Sequence, residues 1–141
     1  MIAALLLLAA STAAAPAVPP AVDVDATDCD DSSPQQMLNI CAANAAASTD
    51  AEMNAQWKVT AAEMKRRDSE IDRATDRQPG YFDTLLAGQR AWLAWRYKQC
   101  LLESFEMRGG SAAPLVHSGC MERITRQRLD QLKALVGDTG R

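Results

Sequence analysis

The sequence contains a single histidine, His117, and none of its four cysteines forms a C-x-x-C pair. Zinc sites need several Cys or His ligands at short spacings, and thioredoxin-like redox sites need the C-x-x-C pair. The chain also lacks a Ser–His or Cys–His motif that would activate a nucleophile. We therefore expect no metal, no cofactor and no nucleophilic catalysis.

Paired carboxylates are the other common catalytic device, as in glycosidases, where one acid sits in an apolar pocket across a cleft. Glu63 and Glu70 are paired acids, but they lie among charged residues on a helix face with a solvated pattern. Nothing around them indicates an apolar pocket. The sequence therefore predicts a protein that is not an enzyme.

Charged side chains are absent from residues 1–17, where an apolar run is followed by small residues. The run is too short to cross a bilayer and is typical of a secretory signal peptide, with removal after Ala15 or Ala17. No cysteine follows the run closely enough for lipid attachment, since Cys29 comes much later. We expect a periplasmic or secreted protein without a stable membrane anchor after signal removal.

Residues 18–32 form a Pro-, Ala- and Asp-containing linker with five acids and no base. From residue 32 onward the chain has 15 basic and 13 acidic residues, which is far from the basic footprint of a nucleic-acid-binding protein. We expect no nucleic-acid partner. The oligomeric state cannot be predicted from these features.

Apolar spacing predicts an all-α domain over residues 33–137, a small antiparallel bundle of about four helices. A short first helix within 32–47 opens with Ser33 as its cap and Pro34 in its first turn. Thr49 and Glu52 form a Thr-x-x-Glu capping box, which predicts the start of a second helix.

The later helix boundaries follow from proline and glycine. The Gln-Pro-Gly sequence at 78–80 predicts the end of the second helix and a third helix over about 81–106. The Gly-rich segment 108–119 predicts a loop, followed by a fourth helix from about Gly119 to Val136 that ends before Gly137.

Four cysteines in a small exported chain predict two disulfides, with three possible pairings. The local pairing is preferred: Cys29 with Cys41 would tie the linker to the first helix, and Cys100 with Cys120 would close the Gly-rich loop. Closing a loop of that size stabilises a fold by about 3 kcal/mol in the chain-entropy model. The two crossed pairings remain open.

One helical face of the third predicted helix carries Gln89, Trp92, Arg96 and Cys100, spaced i, i+3, i+7 and i+11. A buried amide and a buried guanidinium need hydrogen-bond partners. Asp50 and Asn54 of the second predicted helix are the candidate partners. We hypothesise that Arg96 pairs with Asp50 as a clamp between helices, with Trp92 packing beside it. Contact with a partner protein is the alternative use of this face.

The sequence contains four motifs in this order: C-x11-C from residue 29, D-x-x-M-N-x-x-W from residue 50, Q-x-A-W-L-x-W-R-x-x-x-C from residue 89, and C-x4-T-x-x-R-L from residue 120. Together they resemble the LprI-type lysozyme-inhibitor domain family, small exported bacterial proteins, over residues 29–135. The family commonly has Leu and Tyr where this chain has Met53 and Trp57. The resemblance implies a set of structural motif residues: Asp50, Asn54, Trp57, Gln89, Trp92, Arg96 and Arg128.

The same resemblance implies a protein partner such as lysozyme, which the chain would bind and block. A rigid loop with hydrogen-bond donors is the simplest way to block a glycosidase cleft. The disulfide-bracketed Gly-rich segment is the candidate, with Arg108, Ser111 and His117 as donors. A non-catalytic cell-envelope interaction module without lysozyme inhibition is the alternative, and a small-molecule-binding bundle would need a cavity that sequence does not show.

Overall fold

The computed structural model describes residues 29–30 and 32–137, and its described part is helical without strands. The all-α prediction is therefore confirmed. Residues 1–28 and residue 31, which hold the predicted signal peptide and most of the predicted linker, lie outside the described residues. The helices are α1 (Gln35–Ser69), α2 (Tyr81–Ser104) and α3 (Ala113–Val136), with a 3₁₀ turn at Phe105–Met107.

The three helices run up, down and up, so α2 is antiparallel to both neighbours and α1 is parallel to α3. Two hydrogen bonds fix this direction: Asn39 Nδ2 donates to the Ser111 carbonyl over 2.9 Å near the start of α1, and Thr60 Oγ1 donates to the Leu132 carbonyl over 3.0 Å further along it. The largest helix–helix contact is between α1 and α3. No described helix is both long and apolar enough to cross a membrane.

The prediction of four helices is wrong, because the first two are one continuous helix. Thr49, predicted as a cap, lies inside α1 with only 1% of its surface exposed. Its hydroxyl donates to the Ala45 carbonyl over 3.0 Å, one turn back in the same helix. The surrounding segment is rich in alanine and has no proline or glycine, so nothing in it interrupts the helix. The helix begins at Gln35, without a side-chain cap.

The end of α1 comes at Ser69, well before the predicted stop at residue 78. Short acidic side chains compete for backbone N–H groups beyond it: Asp72 accepts from Ala74 and Asp76 accepts from Gln78, over 2.9 and 2.8 Å. Such local bonds favour turns over helix. A polar turn over residues 70–80 therefore joins α1 to α2.

The start of α2 is capped from another helix. Asp68, near the end of α1, accepts hydrogen bonds from the backbone N–H groups of Tyr81 (2.7 Å) and Phe82 (2.9 Å). Gly80 occupies the cap position, and a Cβ there would lie 3.1 Å from the carboxylate of Asp68. The missing side chain lets the carboxylate reach the helix end.

The fourth predicted helix is α3, and it starts six residues earlier than expected, at Ala113. Pro114 sits in its first turn, where the missing N–H costs no hydrogen bond. The predicted loop over 108–119 is thus limited to residues 108–112. The end of α3 is as predicted: it stops at Val136, and Gly137 has a positive φ of 69°.

The core consists of two apolar clusters joined by Trp92. One contains Met53 and Met64 of α1, Leu85 of α2, and Leu129 and Leu132 of α3. The other lies around the buried disulfide and contains Cys100, Cys120 and Ile124. Trp92 packs against both clusters, so a single indole links the two halves of the core.

Two disulfides join the preferred local pairs, Cys29 with Cys41 and Cys100 with Cys120. The second is buried and links the last full turn of α2 to the second turn of α3. The first joins α1 to the segment before it, and Cys29 is exposed. The chain has no free cysteine.

We predict that Asp68→Ala lowers the free energy of unfolding by about 1 kcal/mol, the usual cost of losing a cap. Asp68→Asn should keep part of this stabilisation, because its amide oxygen can still accept one of the two bonds. Urea unfolding followed by circular dichroism measures both.

Asp83→Ala is the matched control, since Asp83 is an exposed acid in the first turn of the same helix without a capping bond. It should cost only a few tenths of a kcal/mol through the helix dipole. Equal losses for the two alanine variants would refute the remote cap.

Candidate functional site

A buried guanidinium connects all three helices. Arg96 of α2 is 7% exposed, and its Nη1 donates to Asp50 Oδ1 on α1 (2.5 Å) and to Thr125 Oγ1 on α3 (2.6 Å). The contact hypothesised between Arg96 and Asp50 is therefore present. The contact to Thr125, a residue of the C-x4-T-x-x-R-L motif, was not predicted from the sequence.

Thr125 completes the network through both of its hydrogen-bonding functions. Its hydroxyl accepts from Arg96 and donates to the Met121 carbonyl of its own helix over 2.6 Å. The Arg96 guanidinium also lies over the Trp92 ring, 4.8 Å from its centroid, where the ring electrons attract the charge. Nε of Arg96 is buried and has no hydrogen-bond partner among the described residues.

A second network of polar side chains lies beside the first. Gln89 of α2 is 6% exposed, and its Oε1 accepts from Arg128 Nε on α3 over 2.9 Å. Its Nε2 faces the Met53 sulfur at 3.8 Å. Arg128 Nη1 donates to Gln131 on the same helix, and its guanidinium lies 5.9 Å from the Trp92 ring centroid. Burial lowers the pKa of Arg128 from its ordinary value.

Most of the family-motif residues therefore meet in one place. Asp50, Gln89, Trp92, Arg96 and Arg128 form this network, which we call the polar clamp together with Thr125. Two others lie apart: Trp57 packs on the larger core cluster, and Asn54 is exposed. The alternative that Asn54 supplies a partner for the buried amide or guanidinium is wrong, because it points out of the bundle. Most of the clamp lies inside the bundle, and only Asp50 and Arg128 of its polar members are partly exposed.

The accessible candidate is the connection between α2 and α3, residues 105–112, which we call the tip. It exposes Phe105 (40%) and Met107 (47%), and the Arg108 guanidinium lies over the Phe105 ring at 4.5 Å. Gly109 turns the chain with a φ of 78°. Arg108 is exposed and forms no ion pair with a carboxylate of the described residues.

The tip is held at both of its ends. The Cys100–Cys120 disulfide joins the helices below it, and Asn39 of α1 donates to the Ser111 carbonyl. Sequence reasoning missed Asn39, whose only signal was a polar residue among the apolar positions of the first helix. Ser111 is anchored through its backbone, which leaves its exposed side chain available to a partner.

His117 does not belong to the tip, contrary to the prediction. Because α3 begins at Ala113, His117 lies on that helix, partly buried, with its ring 6.1 Å from the Tyr97 ring in an edge-on arrangement. Of the three candidate donors, only Arg108 and Ser111 are on the tip.

Several charged groups elsewhere form ion pairs with one another. Glu63 accepts hydrogen bonds from Arg66 and Arg67, which lower its pKa to about 2, so its carboxylate is ionised and paired rather than poised to give up a proton. A hydrogen bond from Gln99 and the ion pair with Arg123 lower the pKa of Glu103. Within residues 29–30 and 32–137, no group of His, Cys, Asp and Glu is arranged to hold a metal ion.

We predict that Asp50→Ala lowers the free energy of unfolding by about 2 kcal/mol or more, because it leaves the buried Arg96 charge without its carboxylate. Arg96→Met should cost less, and the double variant should be more stable than the sum of the single losses implies. A double-mutant cycle in urea measures the coupling.

The Glu103–Arg123 pair is the matched control, with a 2.8 Å contact at the surface between α2 and α3. Removing Glu103 should cost less than about 1 kcal/mol. If Asp50→Ala costs no more than Glu103→Ala, the clamp has no special role.

Comparison with protein-family models identifies one family. The family model described as "Lysozyme inhibitor LprI" matches residues 29–132, which include every member of the polar clamp and the whole tip. An uncharacterised protein of Rhizobium meliloti (strain 1021) is 38% identical over 109 residues, which cover 77% of this chain and 78% of that protein. No solved structure matches the chain. The chain therefore belongs to the LprI lysozyme inhibitor family.

Proposed function

We propose that the protein is an exported, non-catalytic inhibitor that inserts its tip into the substrate cleft of a cell-wall-degrading glycosidase of the lysozyme class. The observation that carries this proposal is the exposed Arg108–Phe105 stack on a connection braced from both sides. Membership of a family described as lysozyme inhibitors supports it. Two disulfides suit the periplasmic or extracellular location that the predicted signal peptide implies.

The chemistry of the tip complements that of the target. A glycosidase cleft holds two carboxylates on either side of the scissile bond. A guanidinium donates two parallel hydrogen bonds to such a carboxylate, which is a stronger contact than a neutral donor makes. No described carboxylate of this chain pairs with Arg108, so its charge is available to the target.

The composition of the tip is that of an interface centre. Aromatic residues, Met and Arg are enriched where proteins bury surface against a partner. Phe105, Met107 and Arg108 are adjacent on the tip, and Leu102 beside it is 62% exposed. Because the disulfide and Asn39 already order this segment, less conformational entropy is lost on binding.

We predict that Arg108→Ala weakens inhibition of lysozyme at least tenfold, and that adding Ser111→Ala weakens it further. A cell-wall lysis assay with purified protein gives the inhibition constants. Because the proposed contact is between charges, inhibition by the parent protein should also weaken as salt rises.

Arg90→Ala is the matched control, since Arg90 is an exposed arginine of α2 outside the tip. It should inhibit like the parent. Unchanged inhibition by Arg108→Ala would remove the tip as the inhibitory surface. A parent protein that does not inhibit lysozyme at micromolar concentration would favour the alternative, a cell-envelope interaction module.

A further inference from the structure

A cleft of about 510 Å³ lies at the end of the bundle away from the tip, where the 70–80 turn meets the three helices. Its walls are mainly apolar, and two of its lining side chains, Tyr81 and Leu135, are 49% and 42% exposed. The volume is within the range of about 300–1,000 Å³ found for small-molecule sites. Its apolar lining residues are Met64, Pro79, Tyr81, Leu85 and Leu135.

Gly88 keeps one wall of this cleft open. It lies in the interior of α2, where glycine costs about 1 kcal/mol relative to alanine. A Cβ at this position would meet no atom of another residue within 4 Å, so packing within the described chain does not require glycine here. Its φ is not positive, so the backbone does not require it either. The missing side chain adds space to the cleft.

Arg128 places a positive charge at the wall of the same cleft. Its two hydrogen bonds go to the neutral amides of Gln89 and Gln131, and it forms no ion pair with a described carboxylate. Its Nη2 makes no hydrogen bond to a described residue. A partly desolvated guanidinium with a spare donor is chemically suited to an anion from outside the chain.

We propose that this cleft binds an aliphatic monocarboxylate, with the hydrocarbon against the apolar wall and the carboxylate on Arg128. The apolar lining selects a hydrocarbon body, and the unpaired guanidinium selects a negative head group over a neutral or positive one. A planar carboxylate matches the planar guanidinium better than a point charge does. The site does not depend on lysozyme inhibition, because it lies at the opposite end of α2 from the tip.

Isothermal titration calorimetry of the purified protein with decanoate, below its micelle concentration, tests the proposal. Decanoate should bind in one-to-one stoichiometry. Acetate, which has only the head group, and decyltrimethylammonium, which has the opposite charge, should each bind at least tenfold more weakly. Equal binding of the cationic amphiphile would overturn the proposal, since it would show unspecific adsorption.

Two variants test the charge of Arg128 and the open volume beside Gly88 separately. Arg128→Gln should weaken decanoate binding at least tenfold, whereas Arg90→Gln, on the exposed side of α2, should leave it unchanged. Gly88→Leu should fill the cleft and abolish binding while the melting temperature stays the same or rises, because leucine is the better helix former. It leaves the Gln89–Arg128 contact intact, so the test does not depend on the folding of the arginine variant. Undiminished binding by Gly88→Leu would overturn the proposal.

Discussion

The buried guanidinium of Arg96 sets the relative positions of the three helices. A charge removed from water needs a partner of opposite sign, or the fold is heavily destabilised. Its two partners, Asp50 and Thr125, are on α1 and α3, while Arg96 itself is on α2. Sliding α1 or α3 along α2 by one turn, about 5.4 Å, would remove a partner of Arg96 from hydrogen-bonding distance. Apolar side chains tolerate such a shift better, so the clamp specifies a register that the core alone would leave loose.

Local signals predicted the fold wherever one residue had a single favourable role. Gly137 ends α3 and Tyr81 begins α2, as expected from glycine and from the Pro-Gly sequence before the helix. Thr49 shows the limit of such signals, because a threonine followed by an acid suits a helix start and also tolerates a helix interior. Thr49 takes the second role: it lies inside the helix, buried against α3, where Arg126 donates to its hydroxyl over 3.3 Å. Arg126 is 77 residues from Thr49 in the sequence, so no local pattern predicts this contact.

The residues of the candidate sites also divide into those that sequence patterns predict and those that they do not. The Arg96–Asp50 contact was predictable, since a buried guanidinium calls for a carboxylate and the motif contains one. Asn39 and the cleft around Gly88 were not, because they depend on which distant residues the helices bring together. Three features follow one another along α2: the tip with Arg108 at one end, the clamp in the middle, and the cleft near the other end, where the clamp residue Arg128 forms part of the wall.

The parallel pairing of α1 with α3 joins two helices that lie far apart in the sequence. The Cys100–Cys120 bond spans 20 residues, so α2 and α3 can associate locally. The bond between Thr60 and Leu132 spans 72 residues, and the main partner of the first helix is the last to be synthesised. Until then, the buried face of α1 is open to other apolar surfaces. A chain that ends before α3 therefore leaves the buried face of α1, the longest described helix, without its main packing partner and prone to aggregation.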